Sequence, residues 1–203
     1  MFLSMALLVV TIAAQAQHDE GDITIQPRVG ATYSNVTDFD KWKLNITYGA
    51  EFEYYLTEQF SLAGGVLFTN QGGKYDVDPN TNSTSKETVK MNLYYGALPI
   101  TANYYILPGL ALKAGIQPAF RVKANIIEGD EKLDFDKMIE VFYGNDVKMN
   151  KFDLSIPVGL SYEFKGFTLD ARYNFGLTKL LSDGDKIYNK VFVVTLGYKL
   201  GTH

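Results

Sequence analysis

Apolar and polar residues alternate along most of this chain with the period of a β-strand. In the stretch 109–123, every even-numbered residue from Leu110 to Val122 is apolar, whereas the odd-numbered ones are small, polar or basic. Successive side chains of a strand point to opposite faces, so this stretch has one apolar face and one mixed face. The same alternation predicts strands in seven further segments: 23–34, 44–56, 60–71, 92–106, 152–164, 167–177 and 191–200.

The segments between these strands alternate between short and long. The short connections are 57–59, 107–108 and 165–166, and the long ones, each of which carries many polar residues, are 35–43, 72–88, 124–151 and 178–190. In the tightest turn, Pro108 presets its own φ and Gly109 is expected to take a positive φ. An even number of strands, with short turns at one rim and long loops at the other, predicts an all-β fold. It would be an eight-stranded antiparallel up-and-down transmembrane β-barrel with its short turns in the periplasm.

Side-chain size predicts which face is inside. The mixed face carries glycines on most of the strands, and the apolar face carries most of the aromatic residues. An eight-stranded barrel has an interior just wide enough to be filled by side chains. We therefore expect the aromatic face to contact lipid and the glycine-rich face to line the lumen.

The predicted lumen face also carries charges of both signs in nearly equal number. An unpaired buried charge is costly, so we expect these residues to form ion pairs that plug the lumen. An ion path or proton relay is the alternative, which the narrow lumen disfavours. The residues of this predicted plug are Arg28, Glu51, Glu53, Lys113, Arg121, Lys123, Asp153, Glu163, Asp170, Arg172 and Lys199.

Two features depart from regular strands and loops. Pro27, Pro99, Pro118 and Pro157 fall within strands, where each removes a hydrogen-bond donor, so we expect local bulges there. The longest connection, 124–151, is rich in apolar residues. We expect it to extend the flanking strands beyond the membrane; a lid over the barrel mouth or a ligand-binding segment are the alternatives.

Composition narrows the chemistry. The chain has no cysteine, its two histidines are His18 and His203, and its net charge is −4. These values disfavour thiol chemistry, a histidine-built metal site and nucleic-acid binding, and no cofactor is expected. Oxygen donors recur in 76–87 as in calcium loops, but Thr81 occupies the position that requires glycine, so a solvated turn is the better prediction.

The start of the chain predicts export. An apolar run over residues 2–14 is followed by Ala14-Gln15-Ala16, a small-x-small pattern typical of signal-peptidase sites. We therefore predict a signal peptide at 1–16 and a barrel domain at 17–203. No lysine or arginine precedes the apolar run, which departs from the usual pattern.

Several runs resemble a known family. They are Tyr48-Gly-Ala-Glu-Phe-Glu-Tyr-Tyr-Leu-Thr-Glu-Gln-Phe-Ser-Leu62, Tyr95-Gly-Ala-Leu-Pro99, Ala114-Gly-Ile-Gln-Pro-Ala-Phe120 and Ala171-Arg-Tyr-Asn-Phe-Gly-Leu-Thr178. With them the chain resembles the outer membrane protein β-barrel domain proteins of the Bacteroidetes, the PorT-like group, whose architecture is similar to the OmpX and OmpA barrels. The resemblance implies the bacterial outer membrane as location and outer-membrane lipid as surroundings.

Taken together, these patterns predict an integral outer-membrane barrel with a plugged lumen and a structural or binding role. Its long extracellular loops would carry surface contact, adhesion or association with envelope proteins. Three alternatives remain open: a soluble lipocalin-like carrier with its apolar face inward, a narrow channel, and a lipid A-modifying enzyme. We expect no enzyme, because small barrels with catalytic activity commonly need a histidine base and no predicted strand contains one.

Overall fold

The computed structural model describes residues 18–36, 42–77, 87–128, 131–134, 150–178 and 189–202. The strands of this part are β1 (Ile23–Val36), β2 (Lys43–Thr57), β3 (Phe60–Gln71), β4 (Lys74–Val77), β5 (Glu87–Ala97), β6 (Ile100–Leu107), β7 (Leu110–Glu128), β8 (Glu131–Asp134), β9 (Phe152–Phe164), β10 (Phe167–Gly176), β11 (Asn189–Tyr198) and β12 (Leu200–Thr202).

These segments make eight barrel strands, because several of them continue one another in register. Leu67 of β3 lies opposite Ala97 of β5, and Gly64 of β3 lies opposite Ile100 of β6, so β5 and β6 form one interrupted strand. By the same criterion β4 continues β3 and β12 continues β11. The short β8 folds back on the end of β7. The predicted eight antiparallel strands are thus confirmed.

The sheet closes on itself between β1 and β11. When Cα partners are followed around the barrel from Ile23, the path returns to β1 at Tyr33, ten residues farther along. With eight strands and ordinary strand spacings, this stagger gives a strand tilt of about 40° and a barrel radius of about 8 Å. Such a barrel leaves room for side chains along its axis and little else.

The two faces of the wall are as predicted. Within β2, Glu51 is 2% exposed and the next residue, Phe52, is 55% exposed. The same alternation runs through β9, where Glu163 is buried and Phe164 is exposed. The alternative of a soluble carrier with its apolar face inward is therefore wrong. A continuous outward apolar surface of this kind requires lipid around it.

The short turns have the expected chemistry. Gly109 has a φ of 80°, as predicted for the residue that follows Pro108. Lys165 and Gly166 both have positive φ, 51° and 81°, which is the pattern of a type I′ hairpin turn. These tight turns fix the register of the strands that they join.

The predicted bulges at the prolines are wrong. Pro27 and Pro157 lie in ladders whose register is unbroken, and the register is the same on both sides of Pro118. Pro99 interrupts the strand between β5 and β6 without shifting its register. Proline carbonyls still serve the ladder, since Pro99 O accepts a hydrogen bond from Gly65 N and Pro118 O accepts one from Leu98 N. A proline lacks only the N–H donor. In an antiparallel sheet the N–H and C=O of one residue point toward the same neighbouring strand, so the missing donor affects the pairing with that strand alone.

The strands also rise beyond the predicted segments. β7 runs on to Glu128, where it turns back into β8, so the predicted extension of 124–151 is confirmed for its described part. The predicted signal peptide at 1–16 and most of the loop at 76–87 lie outside the described residues. No helix in the described part is long and apolar enough to cross a membrane.

Adjacent glycines in β3 provide a test of the two faces. A Cβ on Gly65 would lie 2.5 Å from Ala50 O and 2.6 Å from Glu51 Cγ, whereas a Cβ on Gly64 would meet nothing within 4 Å. We predict that Gly65→Ala lowers the free energy of unfolding by about 1–3 kcal/mol through overpacking. Gly64→Ala should leave it nearly unchanged. Urea unfolding of the detergent-refolded barrel measures both, and equal tolerance would contradict the assignment of faces.

Candidate functional site

Five charged side chains meet inside the barrel in a central charge cluster: Arg28, Glu51, Lys113, Asp170 and Arg172. The carboxylate oxygens of Glu51 lie 2.7 Å from Arg172 Nη2, 2.8 Å from Arg28 Nη1 and 3.2 Å from Lys113 Nζ. Asp170 contacts Arg172 Nε at 2.7 Å, Lys113 Nζ at 3.0 Å and Arg28 Nη1 at 3.1 Å. Each carboxylate thus contacts all three cations, and the cluster has a formal charge of +1.

The central charge cluster joins opposite sides of the wall. Glu51 lies on β2, and Lys113 lies on β7, with the β3 strand and the β5–β6 strand between them. Arg172 of β10 is separated from Glu51 by β11 and β1. A side chain from one wall therefore meets its partner near the barrel axis. All five residues are buried, so solvent does little to weaken these pairs.

A second group, the mouth cluster, lies near the short turns: Glu53, Tyr55, Tyr105, Glu163 and Lys199. Lys199 Nζ lies 2.7 Å from Glu163 Oε2 and 3.0 Å from Glu53 Oε2. It also donates to Tyr55 Oη at 2.6 Å and to Tyr105 Oη at 3.0 Å. Glu53 in turn accepts from Tyr105 Oη at 2.8 Å. Lys199 is therefore held by four oxygen atoms.

His18 closes the mouth cluster on the side of the short turns. Its ring stacks on Tyr55 with the centroids 4.3 Å apart, and its Nε2 lies 3.1 Å from Glu163 Oε2. This role of His18 was not predicted from the sequence, because the residue belongs to no strand. Tyr55 and Tyr105 could have been assigned to the lumen, because each lies on the inward parity of its strand, as Glu51 and Glu53 do.

The lumen changes character toward the long loops. There the inward residues of the wall mix apolar side chains, such as Leu67, Leu93 and Val193, with mostly uncharged polar ones, such as Thr47 and Asn174. Asp153 lies in this part of the barrel, where it accepts hydrogen bonds from Thr178 and from Asn189 Nδ2, the latter at 3.1 Å. Arg121 donates from Nε to Asn150 O at 3.4 Å. These contacts tie the ends of the strands together near the loop rim.

One residue of the predicted plug is misplaced. Lys123 is exposed on the outside of the barrel. β7 shifts its register against β5 between Arg121, which lies opposite Tyr95, and Lys123, which lies opposite Tyr94. This bulge leaves both Val122 and Lys123 exposed, and burial resumes at Ala124. The strict two-residue period therefore gave the wrong face beyond Arg121. The other ten predicted residues are buried inside.

The chemistry of the interior is that of paired groups. The Ser61 hydroxyl donates a hydrogen bond to the Glu53 carboxylate. The same carboxylate oxygen also accepts a hydrogen bond from Asn103 Nδ2 at 2.7 Å. No group of three or more potential metal-ligating side chains occurs in the ranges that the structure describes. The charged groups of the two clusters contact one another, although Arg172 Nη1 is buried with no hydrogen-bond partner in the described part of the structure.

Comparisons with known proteins identify the class of barrel. A family model described as "Outer membrane protein beta-barrel domain" matches residues 14–182. Comparison with curated proteins gives no match.

Among solved structures, Ail of Yersinia pestis, in complex with a heparin analogue, is similar at 16% identity. Its TM-score is 0.52, and the match covers 89% of this chain and 99% of Ail. The Neisserial surface protein A is similar at 13% identity and a TM-score of 0.52, with 89% and 100% of the two chains covered. These likenesses concern the fold alone, whereas the family model covers most of the sequence. The chain therefore belongs to the outer membrane protein β-barrel domain family, and its place is the bacterial outer membrane.

Proposed function

We propose that this barrel has a sealed lumen and acts as a rigid membrane support for a binding surface at its long-loop rim. The binding would be surface contact, adhesion or association with envelope proteins, and the role would be non-enzymatic. The observation that carries the proposal is the central charge cluster, whose ion pairs cross the barrel axis. With the mouth cluster nearer the short turns, it occupies the cross-section of the lumen at two levels.

The strength of these contacts supports a lumen that stays filled. Buried guanidinium and ammonium groups at 2.7–3.2 Å from carboxylate oxygens form charge-assisted bonds. Removing one partner would leave its counterpart as an uncompensated buried charge. Rearrangement of the cluster to admit ions would break several such contacts together. A filled lumen therefore favours a wall element over a channel.

The loop rim is where variable binding chemistry can reside. Strands β4 and β5, with β7 and β8, form hairpin extensions at the long-loop end. Loops on a rigid scaffold commonly carry binding residues, since they tolerate changes that the strands do not. Ail of Yersinia pestis forms a complex with the heparin analogue sucrose octasulfate. A surface ligand for this chain is in keeping with that behaviour of a barrel of similar fold.

We further propose membership of the PorT-like group of the Bacteroidetes within this family. The runs that support it are Tyr48–Leu62 and Ala171–Thr178, which lie on β2–β3 and around β10.

Planar-bilayer recording tests the sealed lumen. We predict no steady conductance for the wild-type barrel, and steady conductance for the double variant Glu51→Ala with Arg172→Ala, because the cluster loses the two side chains that meet at 2.7 Å. Tyr48→Ala, an outward substitution on the same strand, is the matched control and should stay silent. A conducting wild-type protein would overturn the sealed lumen.

The stability of the barrel tests the clusters separately from conduction. Glu51→Gln should lower the free energy of unfolding by about 3–5 kcal/mol, since three cations lose their charged partner. Glu58→Gln, in the exposed turn after β2, should change it by less than about 0.5 kcal/mol. Both values follow from urea titration in detergent micelles. Equal effects of the two substitutions would show that Glu51 has no special role.

The binding role is tested at the loop rim. We predict that replacing residues 135–149 with a short Gly-Ser linker leaves a folded barrel but abolishes its retention of envelope proteins or surface glycans. An insertion of the same linker at the periplasmic turn, next to Gly166, is the control and should preserve binding. Chemical crosslinking on intact cells, followed by mass spectrometry, measures the partners. Unchanged partners in the loop-replaced barrel would contradict the proposal.

A further inference from the structure

An apolar groove of about 600 Å³ opens in the barrel wall between β2 and β3, near the long-loop end. Clefts of this size hold small apolar ligands. The lining comes from both faces of the wall, which is unusual for a closed sheet. The outward residues of the groove are Leu44, Ile46, Tyr48, Phe68, Tyr94 and Val122, and the inward ones include Asn45, Thr69 and Tyr95.

The groove exists because two neighbouring strands separate. The ladder between β2 and β3 ends at Thr47 and Thr69. Beyond that point, residues 43–46 of β2 remain paired with β1, and the last residues of β3 remain paired with β5. The wall is therefore open between the loop-side ends of β2 and β3.

Side chains from the lumen hold the division in place. Thr32 Oγ1 of β1 donates to Asn70 O at 2.7 Å, and Ser34 Oγ donates to Gly72 O at 2.9 Å. These two carbonyls lie beyond the end of the β2–β3 ladder, and β1 hydroxyls reach them from inside the barrel. Gly72 has a φ of 131°, and a Cβ there would collide with Met91 O, so glycine is required at this bend. The loop-side end of β3 thus leans into the lumen, away from β2.

The surroundings of the groove identify its occupant. Its outer rim belongs to the lipid-facing surface, so hydrocarbon is the medium against it. Its inner lining includes Tyr95, which is 2% exposed, beside the polar residues Asn45 and Thr69. A flexible hydrocarbon chain can follow the apolar outward residues from the bilayer as far as the Tyr95 ring.

A basic residue stands at the loop end of the groove. The bulge in β7 turns Lys123 outward beside Val122, and Lys123 lies opposite Tyr94, another residue of the lining. Lysine binds phosphate as a point charge. An anionic headgroup at Lys123 and an acyl chain along Val122 and Tyr94 would satisfy both features. The bulge that removes Lys123 from the lumen leaves it exposed on the outer surface.

We propose that this groove is a lipid-binding site, which takes one acyl chain of an anionic, phosphate-bearing lipid from the outer leaflet and holds its headgroup at Lys123. The site is independent of the sealed lumen and of the loop-rim partner. Conductance measurements test the lumen, whereas lipid labelling tests the groove, so either proposal can fail alone.

The experiment is photocrosslinking in nanodiscs. The probe is phosphatidylglycerol with a diazirine near the end of one acyl chain, diluted into phosphatidylcholine. We expect adducts on the inward residues Asn45, Thr69 or Tyr95, which bulk lipid does not reach from outside. The zwitterionic phosphatidylcholine probe should label them less, by about fivefold for the loss of one lysine–anion contact. Adducts confined to outward residues such as Leu44 and Phe68 would mean annular lipid only and would overturn the proposal.

Two pairs of variants sharpen this result. Val122→Trp fills the groove from outside and should abolish inward labelling, whereas Val29→Trp, an equally outward position on β1, should preserve it. Lys123→Gln should reduce inward labelling about fivefold and Lys123→Arg should retain it, with Lys165→Gln at the periplasmic turn as the control. Heat-modifiability on gels verifies that each variant is folded. Equal labelling in folded Val122→Trp and Val29→Trp barrels would also overturn the site.

Discussion

The narrowness of an eight-stranded barrel is the constraint on which the rest of this structure depends. A wall of about 8 Å radius encloses a space that inward side chains must fill without leaving a charge unpaired. Glycines allow close approach at some inward positions, as at Gly65, and large charged residues cross the axis at others, as Arg172 does. Aromatic rings are therefore mostly displaced to the outer face, where lipid receives them. Membrane location follows from the packing of the interior as much as from the apolar exterior.

The interior is divided along its axis. The mouth cluster and the central charge cluster occupy the part nearer the short turns, and a mixture of apolar residues such as Leu93 and uncharged polar residues such as Asn174 lines the part nearer the loops. The ionic part joins strands from opposite sides of the barrel. The ladder between β2 and β3 ends in the loop-side part, at Thr47 and Thr69, where the inward side chains of these two strands are polar.

The bulge in β7 changes which side chains of this strand face the lumen and which face lipid. Up to Arg121 the strand sends odd-numbered residues inward, whereas after the bulge the three successive residues Ala124, Asn125 and Ile126 are all buried. The extra residue moves a lysine from the lumen to the lipid-facing surface and brings Ala124 and Ile126 inside. A cation is thereby removed from the crowded axis, and the loop-side interior becomes more apolar. The separated strands and the bulge meet at one place, since Val122 lines the groove.

The sequence by itself determined the number of strands, their order of short and long connections, and the face that meets lipid. Period-2 alternation and residue size decide these features locally, and every barrel strand repeats the same pattern. Ten lumen residues, Glu51 and Arg172 among them, followed from parity alone.

Tertiary structure decided the rest. Pairing between particular charges depends on the stagger of ten residues around the barrel, which no single strand encodes. The place of Lys123 depends on how β7 pairs with β5, and the role of His18 depends on a residue 145 positions away. The prolines kept the register where a bulge was predicted, because the remaining carbonyls still complete the ladder. Local pattern fixes which face a residue takes only while the two-residue period holds, and contacts across the barrel decide where that period breaks.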